Sequence, residues 1–296
     1  MSKVAEVTGE TDTRLWRMLF RQVDAAYAEA DFANVCCVGA DELNIRKGHT
    51  YLTVFADLIR KRVLFATEGK DRETWTRFVE ALEAHNGHRH AITQASVDMS
   101  PAYAAGIADT CRNAQIVNDK YHVVAQVNQA VDEVRKAEAR CGDETRAGLL
   151  KFTRWIWRKN PENLTAKEQV HLAELDTESL CTAKAYQLRL MFQGIYREPT
   201  AGQARSRFGA WCRLVRAVAR KYSSTLLAPM VKAAEMVERH LAGILAHWKW
   251  GVTNAFMEGL NSLFQATKRK ARGYRSPEYL ITMLYFIAGK LRLPQF

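Results

Sequence analysis

Between residues 34 and 119, strand-like and helix-like stretches follow one another in an order that few folds accommodate. NVCCVGA is a continuous apolar run, the pattern of a central strand covered on both faces. TYLTVFADL and KRVLFATE follow, rich in β-branched and aromatic residues, with IRK as a tight connection, so the three stretches predict a meander. In TWTRFVEALEAH, Trp75, Phe78, Val79 and Leu82 recur at i, i+3, i+4 and i+7, which predicts an amphipathic helix. HAITQASVD predicts a fourth strand that ends in Asp98. Ser100 and Pro101 then suit the N-cap and first position of a helix over PAYAAGIADTC. AQIVND predicts a fifth short strand, ending at Asp119.

The order is therefore βββαβαβ. Strands separated by helices imply right-handed parallel crossovers, which sets strands one, four and five side by side. This arrangement resembles the RNase H-like fold. From about residue 121 to 250 the strand signals stop. LTAKEQVHLAEL carries a capping box, Thr165 with Glu168, and LCTAKAYQLRLMFQGIY and STLLAPMVKAAEMVERHLAGILAHW are long and helix-periodic. The expected fold class is α/β, an RNase H-like mixed sheet with helices, interrupted by a large all-helical insertion before the last catalytic helix. The expected divisions are 1–32, a helical lead-in broken at Gly9; 33–122, the first part of the core; 123–250, the insertion; and 251–296, the second part of the core with a basic tail.

Forty-three Lys and Arg against 32 Asp and Glu give a formal charge of +11, which favours an anionic partner, nucleic acid before an anionic membrane. YLITMLYFIAG is too short to span a bilayer, which needs about 20 residues. The opening residues lack the apolar region of a signal peptide, so a cytoplasmic protein with no membrane role is expected. The six cysteines form no C-x-x-C pair and suit reduced thiols. HNGHRH, with His85, His88 and His90, reads as a turn around Gly87, because no matched ligand cluster accompanies it.

Three acids raise a chemical question. Asp41 and Asp98 both stand just past predicted strand ends, on strands expected to be neighbours, and Glu258 lies on a helix in TNAFMEGLNS. Phosphodiesters resist attack. Two divalent ions about 4 Å apart can activate the attacking oxygen and stabilise the leaving one. Magnesium takes hard oxygen ligands, so a few carboxylates at the carboxyl ends of parallel strands suffice. Taken singly, each acid also reads as a solvated strand end or helix face.

GADELNIRKGHTYLTVFADL, SVDMSPAYAAGI, QIVNDKYHVVAQVNQAVDEVRKAE and TNAFMEGLNSLFQATKRKARGYRSPEYL resemble, in family order, the bacterial insertion-sequence transposases of the ISL3 group. The likeness runs from about residue 34 to the end and includes ENLTAKEQVHLAEL and LCTAKAYQLRLMF. It implies a DDE-type catalytic core in which Asp41, Asp98 and Glu258 hold two Mg2+ ions, with Mn2+ able to substitute. It further implies DNA end cleavage and strand transfer, with transposon ends and target DNA as partners. The protein would act as a homo-oligomer on DNA, associated with the nucleoid. Members of this group carry an N-terminal zinc-binding segment and a complete helix–turn–helix. The first residues here resemble only the tail of the latter, so a truncated chain is expected.

Neighbouring residues carry their own expectations. Glu42, on a strand, points to the face opposite Asp41 and supports rather than ligates. Asp119 reads as a supporting group or as a rival third ligand, and His122 as a substrate-orienting or a packing residue. Arg46 and Lys47 are candidate phosphate contacts. Lys268, Arg269, Lys270, Arg272 and Arg275 form a candidate phosphate track, or a solvated basic face. Trp248 and Trp250 read as core packing, with base stacking as the second reading. The alternative function is a catalytically silent remnant that holds DNA or a longer relative.

Overall fold

The strands β1 (Cys37–Asn44), β2 (Tyr51–Asp57), β3 (Arg62–Glu68), β4 (Gln94–Val97) and β5 (Gln115–Asn118) form one sheet in the order β3-β2-β1-β4-β5. The chain is described here from a computed structural model over residues 2–45, 51–141, 147–148, 150–151, 153–175, 180–250, 255–270, 274 and 276–294. Helices α1 (Ser2–Thr8) and α2 (Asp12–Ala28) precede the sheet; α3 (Glu73–Ala84) and α4 (Pro101–Thr110) connect β3 to β4 and β4 to β5. Next come α5 (Lys120–Cys141), α6 (Ala166–Glu174), α7 (Cys181–Ile195), α8 (Ala201–Tyr222), α9 (Ala228–Arg239) and α10 (Leu241–Trp250). The chain closes with α11 (Ala255–Lys270) and α12 (Pro277–Ala288). It divides into two compact units, residues 1–117 with 252–296, and residues 118–251.

In the first unit β1 is antiparallel to β2 and parallel to β4, while β2 is antiparallel to β3. The expected placement of strands one, four and five side by side holds, and the mixed sheet with its covering helices is that of an RNase H-like core. Because successive side chains point to opposite faces, each strand divides its apolar residues between two layers. Cys37, Leu43, Val54, Ala56 and Val63 face α2, α11 and α12, contributing to one core with Val23, Met257, Leu260, Phe264, Leu280 and Leu284. Val38, Ala40, Phe55, Leu64, Ala95 and Val97 face α3 and α4. There the ring of Phe55 stacks on Phe78, centroids 4.4 Å apart.

The lead-in is part of this unit's packing. Gly9, at φ 68°, ends α1 in a conformation glycine adopts without strain, and Thr11 caps α2 by accepting from Arg14 N. Tyr27 at the end of α2 stacks on Tyr285 of α12, centroids 4.3 Å apart. Tyr27 donates to Leu64 O at 2.8 Å, and Tyr285 Oη accepts from Ala66 N at 3.2 Å. Both tyrosines are thereby fixed to β3.

The second unit is helical. The expected Thr165–Glu168 capping box is present at the start of α6. Glu138 on α5 is buried and accepts from Cys181 N and Thr182 N, both at 2.8 Å, so an acid from another helix caps α7. Arg189 is also buried. Its guanidinium donates to Asn128 Oδ1, Asn160 Oδ1 and the carbonyls of Arg158 and Lys159, and burial lowers its pKa. Gly243 lets α10 close on Asn118, since a Cβ there would clash with the Asn118 side-chain amide. Among the described residues, no helix is long and apolar enough to cross a membrane.

Candidate active site

The parallel pairing of β1 with β4 decides where two of the acids fall. Cys37 pairs with Gln94, Val38 with Ala95 and Gly39 with Ser96. The pairing ends at Gly39 and Ser96, two residues before Asp41 on β1 and two before Asp98, which follows β4. Asp98 lies just past the end of β4, as expected, and its Oδ1 accepts from Ser100 N at 2.9 Å. Asp41 does not lie past a strand end. It sits inside β1, because Asp41 to Asn44 continue the antiparallel pairing with Val54 to Tyr51 of β2. Both carboxylates are half-buried.

Helix α11 runs over β1 on the face that carries Gly39 and Asp41. A Cβ on Gly39 would meet Met257 Cγ at 3.2 Å and Leu58 Cδ2 at 2.7 Å, so the missing side chain lets the helix close on the strand. Further along, the Asn261 amide donates to Asp41 Oδ2, and Lys268 Nζ donates to Asn44 O at 2.8 Å. These three contacts keep step: four residues of helix and two of strand each advance about 6 Å. Asp41 also fixes its other oxygen, since Oδ1 accepts from Glu42 N at 2.8 Å.

Glu258 is exposed, one turn before Asn261. At about 100° per residue it lies roughly 60° round the helix from Asn261, and Leu260 lies roughly 100° round in the opposite sense. Leu260 belongs to the core shared with β2, β3 and α12. The Glu258 flank is therefore turned away from that core.

On the opposite face, Glu42 approaches Tyr103 and Lys70. Lys70 Nζ lies 3.9 Å from Glu42 Oε2 and 4.0 Å from the Tyr51 ring centroid. The Tyr103 hydroxyl contacts Thr53 Oγ1 at 2.9 Å. Burial pushes the Glu42 carboxyl above the usual carboxylate range, Asp98 and Asp41 push it the same way, and Lys70 and Tyr103 oppose them. Asp98 and Glu42 likewise raise Tyr103, after burial. Asp41 and Asp98 thus both act on the Glu42 carboxyl, with Lys70 opposing them.

In donor chemistry Asp41 and Asp98 suit a hard divalent cation, which takes carboxylate oxygens. Among the described residues, no three His, Cys, Asp or Glu side chains converge closely enough to hold an ion, so Glu258 does not close on the pair.

A transposase family model of the ISL3 group matches residues 38–284. The chain belongs to the ISL3 transposase family. It is 30% identical to the transposase for insertion sequence element IS1001 of Bordetella parapertussis, over 86% of this chain and 61% of that protein. It is 27% identical to the transposase for IS1557 of Mycobacterium tuberculosis, over 93% of this chain and 64% of that protein. The chain therefore spans less than two-thirds of the length of these relatives.

The ISL3 match takes in all three acids and their neighbours. In the helical unit, Asp119 is buried and its Oδ1 accepts from Tyr121 N at 3.1 Å, capping α5, while its Oδ2 lies 3.7 Å from His122 Nε2. Trp248 is engaged in packing: it stacks on Tyr196, centroids 5.5 Å apart, and its Nε1 donates to Glu198 O at 2.7 Å. His85 is held by Ala81 O and Tyr27 O, whereas His88 and His90 are exposed. Arg269 is exposed; Lys268 is tied to β1. Arg46, Lys47, Arg272, Arg275 and the side chains of Lys270 and Trp250 lie outside the described residues. The sequence reading passed over Asn261, Lys70 and Tyr103. Asn261 had a usable signal, because a residue three positions after Glu258 shares its side of the helix.

Proposed function

We propose that this chain is the catalytic portion of a DNA transposase, cleaving transposon ends and joining them to target DNA by metal-dependent phosphoryl transfer. The observation that supports this reading is the parallel pairing of β1, which carries Asp41, with β4, which Asp98 follows, together with the Asn261–Asp41 hydrogen bond that ties the Glu258-bearing helix to β1. Asp41 and Asp98 would hold Mg2+, or Mn2+ in its place, with Glu258 as third ligand. When bound, the ions would polarise the scissile phosphate and lower the pKa of the attacking water. Asn261 orients the Asp41 carboxylate, and Gly39 sets the distance between helix and strand. Exposed Arg269 is a phosphate contact beyond Glu258. Arg46, Lys47, Lys270, Arg272 and Arg275 are proposed for the same task.

A second reading has its own support. Asp41 is already engaged by Asn261, and no three-ligand cluster is present among the described residues. That state suits a chain that holds DNA without turnover. Nicking of supercoiled plasmid in Mn2+ separates the two. Glu258→Ala should abolish nicking while leaving fold and DNA binding intact. Salt-dependent DNA binding by the wild type without any nicking supports the second reading, and a fully active Glu258→Ala protein sinks the assignment of that acid.

A further inference from the structure

Most of the chain's net positive charge belongs to the helical unit. Residues 118–251 hold 22 Lys and Arg against 14 Asp and Glu, an excess of eight out of eleven. Helix α8 contributes most, with six basic residues and no acid. Its apolar side buries Ala204, Phe208, Trp211, Cys212, Val215 and Ala219. On another side Gly202, Arg205, Gly209, Arg213, Arg216 and Arg220 recur at intervals of three and four residues. At about 100° per residue they occupy an arc of roughly 80°.

We infer that this stripe is a docking surface for the sugar–phosphate backbone of duplex DNA, separate from the proposed contacts around Glu258; the inference rests on the transposase reading. Three features support it beyond net charge. First, Arg205, Arg213 and Arg220 are exposed and pair with no carboxylate among the described residues, whereas Arg207 pairs with Glu198 and Arg216 with Glu238. Second, from Arg205 to Arg220 the helix is about 22 Å long, a length over which duplex DNA presents about a dozen phosphate charges. Third, the glycines stand on the same stripe and make no room for neighbours. A Cβ on Gly202 would meet nothing within 4 Å, and one on Gly209 only Arg213 Nη1 at 3.6 Å. Glycine weakens a helix interior, so an unfilled Gly209 has no reward in packing. A backbone bared between arginines lets a bulky polyanion approach closely, and guanidinium forks match phosphate oxygens bidentately.

The test uses the full chain and a fluorescent duplex oligonucleotide of arbitrary sequence, titrated by anisotropy across a range of KCl. The combined Arg205→Gln, Arg213→Gln and Arg220→Gln variant should bind roughly tenfold or more weakly at low salt. Its slope of log K against log salt should fall by about 2 to 3, at 0.9 for each lost phosphate contact. Gly209→Ala should raise the melting temperature yet weaken binding severalfold, a combination that a merely structural glycine would not give. A triple variant with unchanged affinity and slope overturns the inference, as does loss of binding to anionic phospholipid vesicles with DNA binding intact. A wild-type chain that binds no duplex at any salt fails the transposase reading itself.

Discussion

The side-chain amide of Asn261 donates to Asp41 Oδ2 across 220 residues of chain, joining the helix after the insertion to the central strand. Asn261→Ala should therefore affect chemistry more than folding. Removing a hydrogen bond to a half-exposed carboxylate costs about 1 kcal/mol, to be read as a small shift in the urea midpoint. Mn2+-dependent nicking should fall by roughly tenfold or more, because a carboxylate free to rotate no longer presents its oxygens in one place. Unchanged nicking would remove Asn261 from the account.

Gly39 is the second point where helix and strand meet. Gly39→Val places a branched side chain where Leu58 and Met257 already lie within van der Waals contact of any Cβ. Overpacking of this kind costs about 1 to 3 kcal/mol. The denaturation midpoint should fall accordingly. Hydrogen exchange should show the loss of protection in α11 as well as in β1. Loss confined to β1 would mean that the helix does not depend on this contact.

In the helical unit, Glu138→Ala removes the acceptor of three hydrogen bonds at a buried site, from Cys181 N, Thr182 N and Thr182 Oγ1. About 3 kcal/mol of destabilisation is expected, with α7 the first helix to lose protection. Glu138→Gln, which keeps an acceptor oxygen, should cost less than half as much. Equal costs for the two variants would show that the capping oxygen is not what matters.

Glu168 gives a dependence on acid. The Lys159 ammonium and the Thr165 backbone hold its carboxyl down from 4.5 to about 2. The folded pKa lies below the unfolded one, so the capping interaction is present above pH 4.5 and is lost as pH falls through about 2. Amide protection at the start of α6 should decline across that window in the wild type. In Glu168→Ala it should already be low at neutral pH and stay flat. The same decline in both proteins would refute the assignment.

Much of the sheet was legible because burial on one or two faces writes itself into apolar alternation. Phe55 against Val54 and Ala56 is enough to place β2. The end of β1 was not legible. Glu42 and Asn44 are polar, and only pairing with Thr53 and Tyr51 of another strand keeps them extended. The parallel pairing of β1 with β4 joins residues 57 apart in the chain and leaves no local signal. Asn261 reads alone as an indifferent helix residue, and Glu138 as one more solvated charge on a long helix. Burial by a second helix makes the latter a cap. The basic tail drew attention because its charges are consecutive, while the arginines of α8 are spread by helical spacing and stand out only once their common side is known.

The central claim is that Asp98 is a ligand for the metal on which DNA cleavage depends. Asp98→Cys replaces a hard oxygen donor with a soft sulfur one, which Mg2+ accepts poorly and Mn2+ more readily. Plasmid nicking by this variant, measured in each metal beside the wild type, is the decisive comparison. The account predicts activity lost in Mg2+ and recovered in Mn2+. Full activity of Asp98→Cys in Mg2+ would contradict it.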